Sequence, residues 1–340
     1  MPVTLRSFAK INLGLTIGPA RPDGFHALTT VYQTIALHDL LTVSAARTAA
    51  TRIVLTSNDA RVPLDGRNTV WKMVERALAA LDVTAEVAVH IEKRLPVQGG
   101  LGAGSANAAA ALIGLERELG IAPDDELRLR VAAEVGSDVP LFLIGGAVLG
   151  MGRGEQVSPV ADLPSIPCVV AVPEVGVSTP AAFREWDARH SALTPAAATD
   201  RLKRLSRTVS TVWGRPRSSG VSRGISSELA VSDTDAPTQG DLAETPLLAL
   251  VRTGIANDFE EVVFAQHPSL ADIVRVLAGS QPEDAALYAA LSGSGSALFG
   301  LYANAQAADR AAERLRDRGI VALRTETLPR EHYWQRMWLE

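Results

Sequence analysis

Apolar and polar side chains alternate along the first part of the chain. This period of two is typical of a β-strand with one buried face. The apolar positions of one parity are Val3, Leu5, Ala9, Ile11, Leu13, Leu15 and Ile17. Lys10 and Asn12 fall on the other parity, about 7 Å apart at ~3.3 Å per residue. Two polar side chains so placed either face solvent or line a cleft, and the alternation is compatible with both.

Further strands and helices are predicted up to about residue 155. Strand patterns occur in VYQTIAL, DLLTVSA, TRIVLTS and EVAVHIEK, and in the glycine-broken segment VPLFLIGGAVLGMG. Residues 68–81 have a helical period, with Asn68 as a candidate N-cap. Two more helices are predicted, over 105–119 and about 124–135. The loop-like PVADLPSIP then indicates a domain boundary, which divides the chain into 1–160 and 161–340.

The second half predicts an antiparallel sheet backed by helices. Strand patterns occur in CVVAVPEV and IVALRTETL, and YAALSGSGSALFGLYA is typical of two strands joined by a glycine turn. Helical periods occur in TPLLALVRTG, NDFEEVVFAQHPSLADIVRVLAG and AQAADRAAERLRDRG. This order gives an α+β fold class.

A stretch rich in Ser, Thr, Gly and Arg interrupts this half at about 203–245. Between Arg201 and Arg223 it carries seven basic residues and no acidic one. It is either a basic arm for an anion such as nucleic acid or a solvated, flexible insertion. The second interpretation is favoured, because apolar periodicity is weak and no row of aromatic residues accompanies the charge.

Composition narrows the class of protein. The 340 residues suffice for two domains, and a net charge of −5 provides no global attraction to nucleic acid or anionic membranes. Cys168 is the single cysteine, in an apolar run, so a disulfide within the chain is excluded and a buried thiol is expected. The N-terminus lacks the apolar core of a signal peptide, and no run approaches the ~18 apolar residues of a membrane span. We therefore expect a cytoplasmic protein with neither membrane nor nucleic-acid partners.

The segment LPVQGGLGAGSANAAAAL carries the strongest chemical signal. Glycines at positions 99, 100, 102 and 104 allow close approach of a ligand to the backbone, directly before a helix N-terminus. Such a loop is suited to bind phosphate. It is not a Walker A loop, since Ser105 stands where the lysine belongs, and Asn107 breaks the GxGxxG pattern. A tight helix-packing turn is the alternative.

The ordered motifs decide between these alternatives. PxxGGLGxGSxNAA, preceded by FAKINLGL and followed by GSDVPLFLIGG and LSGSGSALF, resembles the GHMP kinase superfamily. The resemblance covers most of the chain outside about 203–245. It implies a ribosomal-protein-S5-like N-terminal domain, a ferredoxin-like C-terminal domain and an ATP-dependent small-molecule kinase. SFAKINLGL, RPDGFHAL and KRLPVQGGLGAGSANAA are most similar to the members whose substrate carries a cytidine diphosphate. Gln98 and Ala103 depart from the family's usual small residues or glycine.

The resemblance also implies residue roles. Asp138 would accept the proton of the substrate hydroxyl and Lys10 would assist it, although Asp near Gly and Pro is also common in turns. The positions that match the ATP site are Pro96, Val97, Gln98, Gly99, Gly100, Leu101, Gly102, Ala103, Gly104, Ser105 and Ala106, with Asn107, Lys93 and Asn68 near the adenosine. Those that match the substrate site are Asn12, Phe25, His26 and Phe183, the two phenylalanines stacking on the base. Mg²⁺ is expected with ATP, and no acidic residue is identified as its ligand.

Other functions stay open on the sequence. A homoserine- or mevalonate-type kinase would keep the fold, but those substrates offer no base for DGFH and STPAAF to bind. A nucleotide-binding regulator without activity need not retain both Lys10 and Asp138. A small-molecule substrate and ATP are the expected partners, and we expect a monomer or a weak homodimer.

Overall fold

The first sheet organises the N-terminal half. The computed structural model describes residues 2–97, 99–213 and 246–339. Seven strands form this sheet: β1 (Val3–Ala20), β2 (His26–Arg47), β3 (Arg52–Ser57), β4 (Ala85–Glu92), β5 (Ala147–Met151), β6 (Gln156–Pro159) and β11 (Trp338–Leu339). The order is β11-β1-β2-β4-β3, with β5 paired to β2 and β6 to β5. Only β3 and β4 run parallel among these pairs. The segments VYQTIAL and DLLTVSA, predicted as separate strands, form one long strand, β2.

Helices α1 (Thr69–Ala80) and α2 (Ala103–Leu119) pack against this sheet, and α3 (Asp125–Val135) packs on these two helices. Asn68 caps α1 as predicted, accepting the Val70 N–H at 2.9 Å. Helix α2 approaches the strands closely, since a Cβ on Gly114 would lie 2.7 Å from the side chain of Val43. It begins two residues earlier than predicted, after Gly102.

The strand predicted over VPLFLIGGAVLGMG is correct only in its second part. Pro140–Leu143 forms a 3-10 helix, and β5 starts at Ala147. Gly145 and Gly146, at φ 72° and 70°, join the two. Proline lacks the N–H that a central strand would use, which explains why the apolar run opens as a helical turn.

The second sheet contains β7 (Pro167–Val172), β8 (Tyr288–Leu291), β9 (Leu298–Leu301) and β10 (Val321–Glu326), in the order β10-β7-β9-β8. All three pairings are antiparallel. Its helices are α4 (Thr179–Arg189), α5 (Pro195–Trp213), α6 (Pro246–Arg252), α7 (Phe259–Gln266), α8 (Pro268–Ala278) and α9 (Ala305–Arg316). With the strands taken in chain order, the sheet order is fourth, first, third, second, so the predicted ferredoxin-like domain is confirmed.

Helix α5 corrects the predicted start of the insertion. Residues 203–213 are helical, Leu205 and Val209 are buried, and α5 packs against β1 and β2 of the first sheet. Leu202, Leu205 and Val209 recur at helical spacing, so a short apolar stripe anchors the basic segment. The remainder of the predicted insertion, 214–245, lies outside the described residues.

The end of the chain returns to the first sheet. Helix α10 (Arg330–Gln335) and β11 follow β10, and Trp338 pairs with Leu5 of β1. Tyr333 is buried in the N-terminal core and donates to the carbonyl oxygen of Phe142 at 2.7 Å. The last residues of the predicted second domain, 161–340, thus pack against the first sheet. The predicted domain bounds stay a prediction. No helix in the described part of the chain is long and apolar enough to cross a membrane.

Candidate active site

A buried cation and a carboxylate meet at the centre of the molecule. Strand β1 places the Lys10 ammonium 3.3 Å from Asp138 Oδ2. Lys10 also donates to Asn12 Oδ1 at 2.7 Å and to the carbonyl oxygen of Gly100 at 2.8 Å. The Lys10 side chain is 3% exposed and that of Asp138 is 30% exposed. The polar side of β1 therefore lines a cleft, and the carboxylate remains accessible from it.

Tyr32 of β2 is the second partner of this carboxylate. Its hydroxyl donates to Asp138 Oδ1 at 2.9 Å, while Lys10 faces the other oxygen. Burial, and then the negative charge of Asp138, raise the pKa of Tyr32 well above 10. The phenol therefore stays a protonated donor at neutral pH. Sequence reasoning missed Tyr32. Tyr32 lies directly across from Asn12 in the β1–β2 register, and this register cannot be read from the sequence alone.

Asn12 is fixed by a chain of hydrogen bonds. Its Nδ2 donates to Thr30 Oγ1 at 2.8 Å, and that hydroxyl donates to the carbonyl oxygen of Gly14 at 2.8 Å. Its amide oxygen accepts from Lys10. This chain orients the amide so that Asn12 positions the lysine, and its predicted contact with substrate stays a prediction.

The glycine loop lies beside this pair and leads into α2. Gly99, Gly100 and Gly102 have φ of 125°, 82° and 69°, which favour glycine. A Cβ on Gly102 would lie 3.0 Å from Cγ of Lys10 and from the ring of Phe142. Gly102 caps α2 without a side-chain acceptor, so the first-turn N–H groups and the positive end of the helix dipole face the loop. These groups fit an anionic phosphate.

The C-terminal glycine motif closes over the same loop. The N–H of Ala297 donates to the Gly99 oxygen at 3.0 Å, and Ser292 Oγ donates to the Gly100 oxygen at 2.9 Å. Behind this turn, Asn257 Nδ2 donates to the carbonyl oxygens of Leu291 and Gly293 at 2.9 and 2.7 Å. The LSGSGSALF motif thus joins the two domains at the candidate site.

Asp39, another residue that sequence reasoning did not single out, forms hydrogen bonds with the segment that leads into the glycine loop. This fully buried carboxylate accepts from Lys93 Nζ at 2.5 Å, from Asn107 Nδ2 at 3.0 Å, and from the N–H groups of Arg94 and Leu95. Asn107 Oδ1 is buried without a hydrogen-bond partner among the described residues. Lys93 and Asn107 are therefore anchored by Asp39, and their contact with adenosine stays a prediction.

The other residues predicted for ATP fall around the same loop. Pro96 and Val97 precede it, Leu101 is buried beneath it, and Gln98 lies outside the described residues. The first turns of α2 contain Ala103, Gly104, Ser105 and Ala106. Asn68 uses both amide groups locally, because its Nδ2 donates to the Pro63 oxygen at 2.6 Å while its oxygen caps α1.

The residues predicted to bind the base lie at the far end of the cleft. Phe25 is 48% exposed, and the Arg153 guanidinium lies 4.7 Å from its ring centroid. The His26 ring stacks on Phe183 at 4.6 Å and 9°, so His26 covers one face of that ring. Asp187, missed by the sequence reasoning, lies 2.7 Å from His26 Nε2. The base therefore has no room between His26 and Phe183, and its stacking partners stay a prediction.

One cavity of about 680 Å³ joins these parts. It is lined by Lys10, Asn12 and Asp138, by Gly99, Gly100 and Gly102, and by Phe25, His26 and Phe183. The predicted catalytic, phosphate-binding and base-binding groups therefore share one space. Within the residues that the structure describes, no three His, Cys, Asp or Glu side chains are grouped to hold a metal ion.

Comparison with known proteins is consistent with this geometry. Residues 68–146 match the GHMP kinases N terminal domain, and 242–321 match the GHMP kinases C terminal domain. A 4-diphosphocytidyl-2-C-methyl-D-erythritol kinase from Solibacter usitatus is 37% identical over 92% of this chain and 84% of its own.

Two solved structures resemble this fold over nearly the whole chain. A crystal structure of 4-(cytidine 5'-diphospho)-2C-methyl-D-erythritol kinase superposes with a TM-score of 0.66 at 27% identity, over 95% of this chain and 98% of its own. The homoserine kinase of Cytophaga hutchinsonii superposes with a TM-score of 0.69 at 18% identity, over 96% and 95%. The second likeness concerns the fold alone.

Proposed function

Because this chain belongs to the GHMP kinases, in the family of the 4-diphosphocytidyl-2-C-methyl-D-erythritol kinases, we propose that it phosphorylates the 2-hydroxyl of 4-diphosphocytidyl-2-C-methyl-D-erythritol with ATP. This reaction belongs to the non-mevalonate route to isoprenoid precursors. The observation that carries the proposal is the single cavity that joins a Lys–Asp pair, a phosphate-binding loop and an aromatic end.

Asp138 is the proposed acceptor of the hydroxyl proton. The substrate oxygen forms a bond to the γ-phosphorus, the bond from that phosphorus to the bridging oxygen breaks, and ADP leaves. The hydroxyl proton passes to the carboxylate, whose two oxygens are oriented by Tyr32 and Lys10. The Lys10 ammonium lies beside this carboxylate and stabilises the negative charge that develops on the transferring group.

The glycine loop is the proposed site of the ATP phosphates. ATP supplies the transferred phosphoryl group. The loop fits it because Gly99, Gly100 and Gly102 leave the backbone free of Cβ atoms and α2 presents its N-terminus. Asn107 Oδ1, which has no hydrogen-bond partner among the described residues, is a candidate acceptor for the adenine amino group. We propose that Mg²⁺ accompanies ATP, held mainly by phosphate and water oxygens.

Base recognition is proposed to depend on His26 and the exposed ring of Phe25. The Asp187 carboxylate can only accept a hydrogen bond, so Nε2 of His26 donates to it. In a neutral imidazole with this tautomer, Nδ1 keeps a lone pair. An acceptor there matches the 4-amino group of cytosine and disfavours uracil, which has an oxygen at that position. Phe183 supports this arrangement by stacking under the His26 ring.

A coupled assay of ADP release tests the proposal. The protein is assayed with 4-diphosphocytidyl-2-C-methyl-D-erythritol, its uridine analogue, homoserine and mevalonate. We expect turnover with the first, a KM at least tenfold higher for the uridine analogue, and background rates with the other two. Turnover of homoserine or mevalonate at a comparable kcat/KM would overturn the assignment.

A further inference from the structure

A second cavity, of about 180 Å³, lies on the other side of β1 from the substrate cavity. Arg201, Arg204 and Thr208 of α5 line one wall, and Thr16, Thr253 and Asp258 line the opposite one. We propose that this cavity binds a small phosphate-bearing anion and that this binding weakens substrate binding. The proposal of an anion site is independent of the proposed function, whereas the proposed effect of the anion on substrate binding rests on that function.

The charge of the cavity favours an anion. Two guanidinium groups face one carboxylate, and Arg204 has no ion-pair partner within the described residues. Arg201 Nη2 donates to Asp258 Oδ2 at 2.7 Å, while Arg201 Nε is buried without a hydrogen-bond partner among the described residues. A buried, unsatisfied guanidinium N–H is costly, so an acceptor that reaches it gains binding energy.

The shape and chemistry favour phosphate over a nucleotide. Guanidinium groups bind phosphate oxygens with paired hydrogen bonds, and the hydroxyls of Thr16 and Thr208 provide further donors. The volume is about a quarter of that of the substrate cavity, at 180 against 680 Å³. Its lining residues include no aromatic ring on which a base would stack. A monophosphate or diphosphate group is therefore the matching ligand.

Adjacent residues connect this cavity to the substrate cavity. Thr16 and Asp258 line the anion cavity, whereas their neighbours Leu15 and Phe259 line the substrate cavity. The N–H of Asp258 donates to the carbonyl oxygen of Leu15 at 2.9 Å, and Asp258 Oδ2 accepts a hydrogen bond from the N–H of Ile17 at 2.8 Å. Asp258 therefore holds β1 to the start of α7.

An anion that attracts Arg201 competes with Asp258 for the guanidinium. Loss of that ion pair frees the residue before Phe259, and the Phe259 ring packs edge-on against Phe183 at 4.9 Å. Phe183 in turn supports His26. Binding of the anion should therefore raise the dissociation constant of the substrate, and with it the substrate KM. By linkage, bound substrate should raise the dissociation constant of the anion by the same factor.

Titration calorimetry with inorganic phosphate and with inorganic diphosphate tests the site. The full chain is saturated with a non-hydrolysable ATP analogue, so that the glycine loop is occupied. We compare wild type with Arg204→Gln and with the matched control Arg207→Gln, an exposed arginine of α5 outside the cavity. We expect saturable binding that weakens at least tenfold in Arg204→Gln and is unchanged in Arg207→Gln. Preference for one probe identifies the ligand as a mono- or diphosphate.

Equal affinities in wild type and Arg204→Gln would overturn the site, as would an equal loss in Arg207→Gln. The preferred probe should also raise the substrate KM about fivefold in wild type and not in Arg204→Gln. An unchanged KM despite saturable binding would refute the coupling alone. Absence of turnover with the cytidine substrate would refute the proposed function and leave the calorimetric result standing.

Discussion

Replacing Tyr32 by phenylalanine removes one hydrogen bond to Asp138 and keeps the buried ring. The bond, 2.9 Å long, joins a phenol that is 2% exposed to a carboxylate oxygen. A hydrogen bond to a charged group contributes about 1.5–3 kcal/mol, and each ~1.36 kcal/mol corresponds to a factor of about ten in rate. Because the phenol holds one oxygen of the proposed proton acceptor, Tyr32→Phe should lower kcat about 10- to 100-fold.

The buried phenol of Tyr32 also affects how the stability of the protein changes at alkaline pH. Its pKa is raised by burial and by the charge of Asp138, so it stays protonated in the assay range. An unfolded tyrosine ionises near pH 10, and the stability contributed by the protonated, buried phenol is therefore present below pH 10 and lost at higher pH. Tyr32→Phe should reduce this alkaline loss of stability.

The assay measures kcat by ADP release at about pH 7 and saturating substrates. Tyr333→Phe is the matched control, because Tyr333 is equally buried and donates to a neutral carbonyl oxygen at 2.7 Å. It should lose about 1 kcal/mol of stability and keep kcat near the wild-type value. The reasoning fails if Tyr32→Phe keeps the wild-type kcat, or if Tyr333→Phe lowers kcat equally.

The remaining predictions concern three other groups of the site. Asp138→Asn should lower kcat by about 10²–10⁴ with ATP binding retained, and near wild-type turnover would exclude it as the proton acceptor. Gly102 has a φ of 69°, and a methyl group there would press on Lys10, so Gly102→Ala should lower the free energy of unfolding by about 1–3 kcal/mol. Gly120 has a φ of 64° but open space around it, so Gly120→Ala should show the cost of the backbone strain alone in the same thermal melts. Phe183→Ala should raise the KM of the cytidine substrate about tenfold and hardly change that of ATP, as measured by initial rates; an equal rise in both would indicate global distortion.

Local patterns predict the secondary-structure elements and the turn made by the glycine loop well. The alternation along β1, the cap at Asn68 and the glycine turn at 292–296 are local features, and the structure confirms each of these elements. Tyr32 and Asp39 escaped prediction because their partners are distant in sequence: Tyr32 meets a carboxylate 106 residues away and Asp39 an amide 68 residues away. Only strand register and domain packing bring such groups together.

The base-binding end shows that a sequence prediction can name residues without giving their arrangement. The sequence predicts that Phe25 and Phe183 stack on the base beside His26, and all three line the cavity. Yet the carboxylate of Asp187, one turn after Phe183 on α4, pairs with His26 Nε2 and draws the imidazole over the phenylalanine ring. A hydrogen bond between the first residue of β2 and α4 thus fixes the imidazole on the Phe183 ring, and Phe25 is left as the exposed aromatic face. In the proposed mode of recognition, α4 therefore determines where the imidazole meets the substrate.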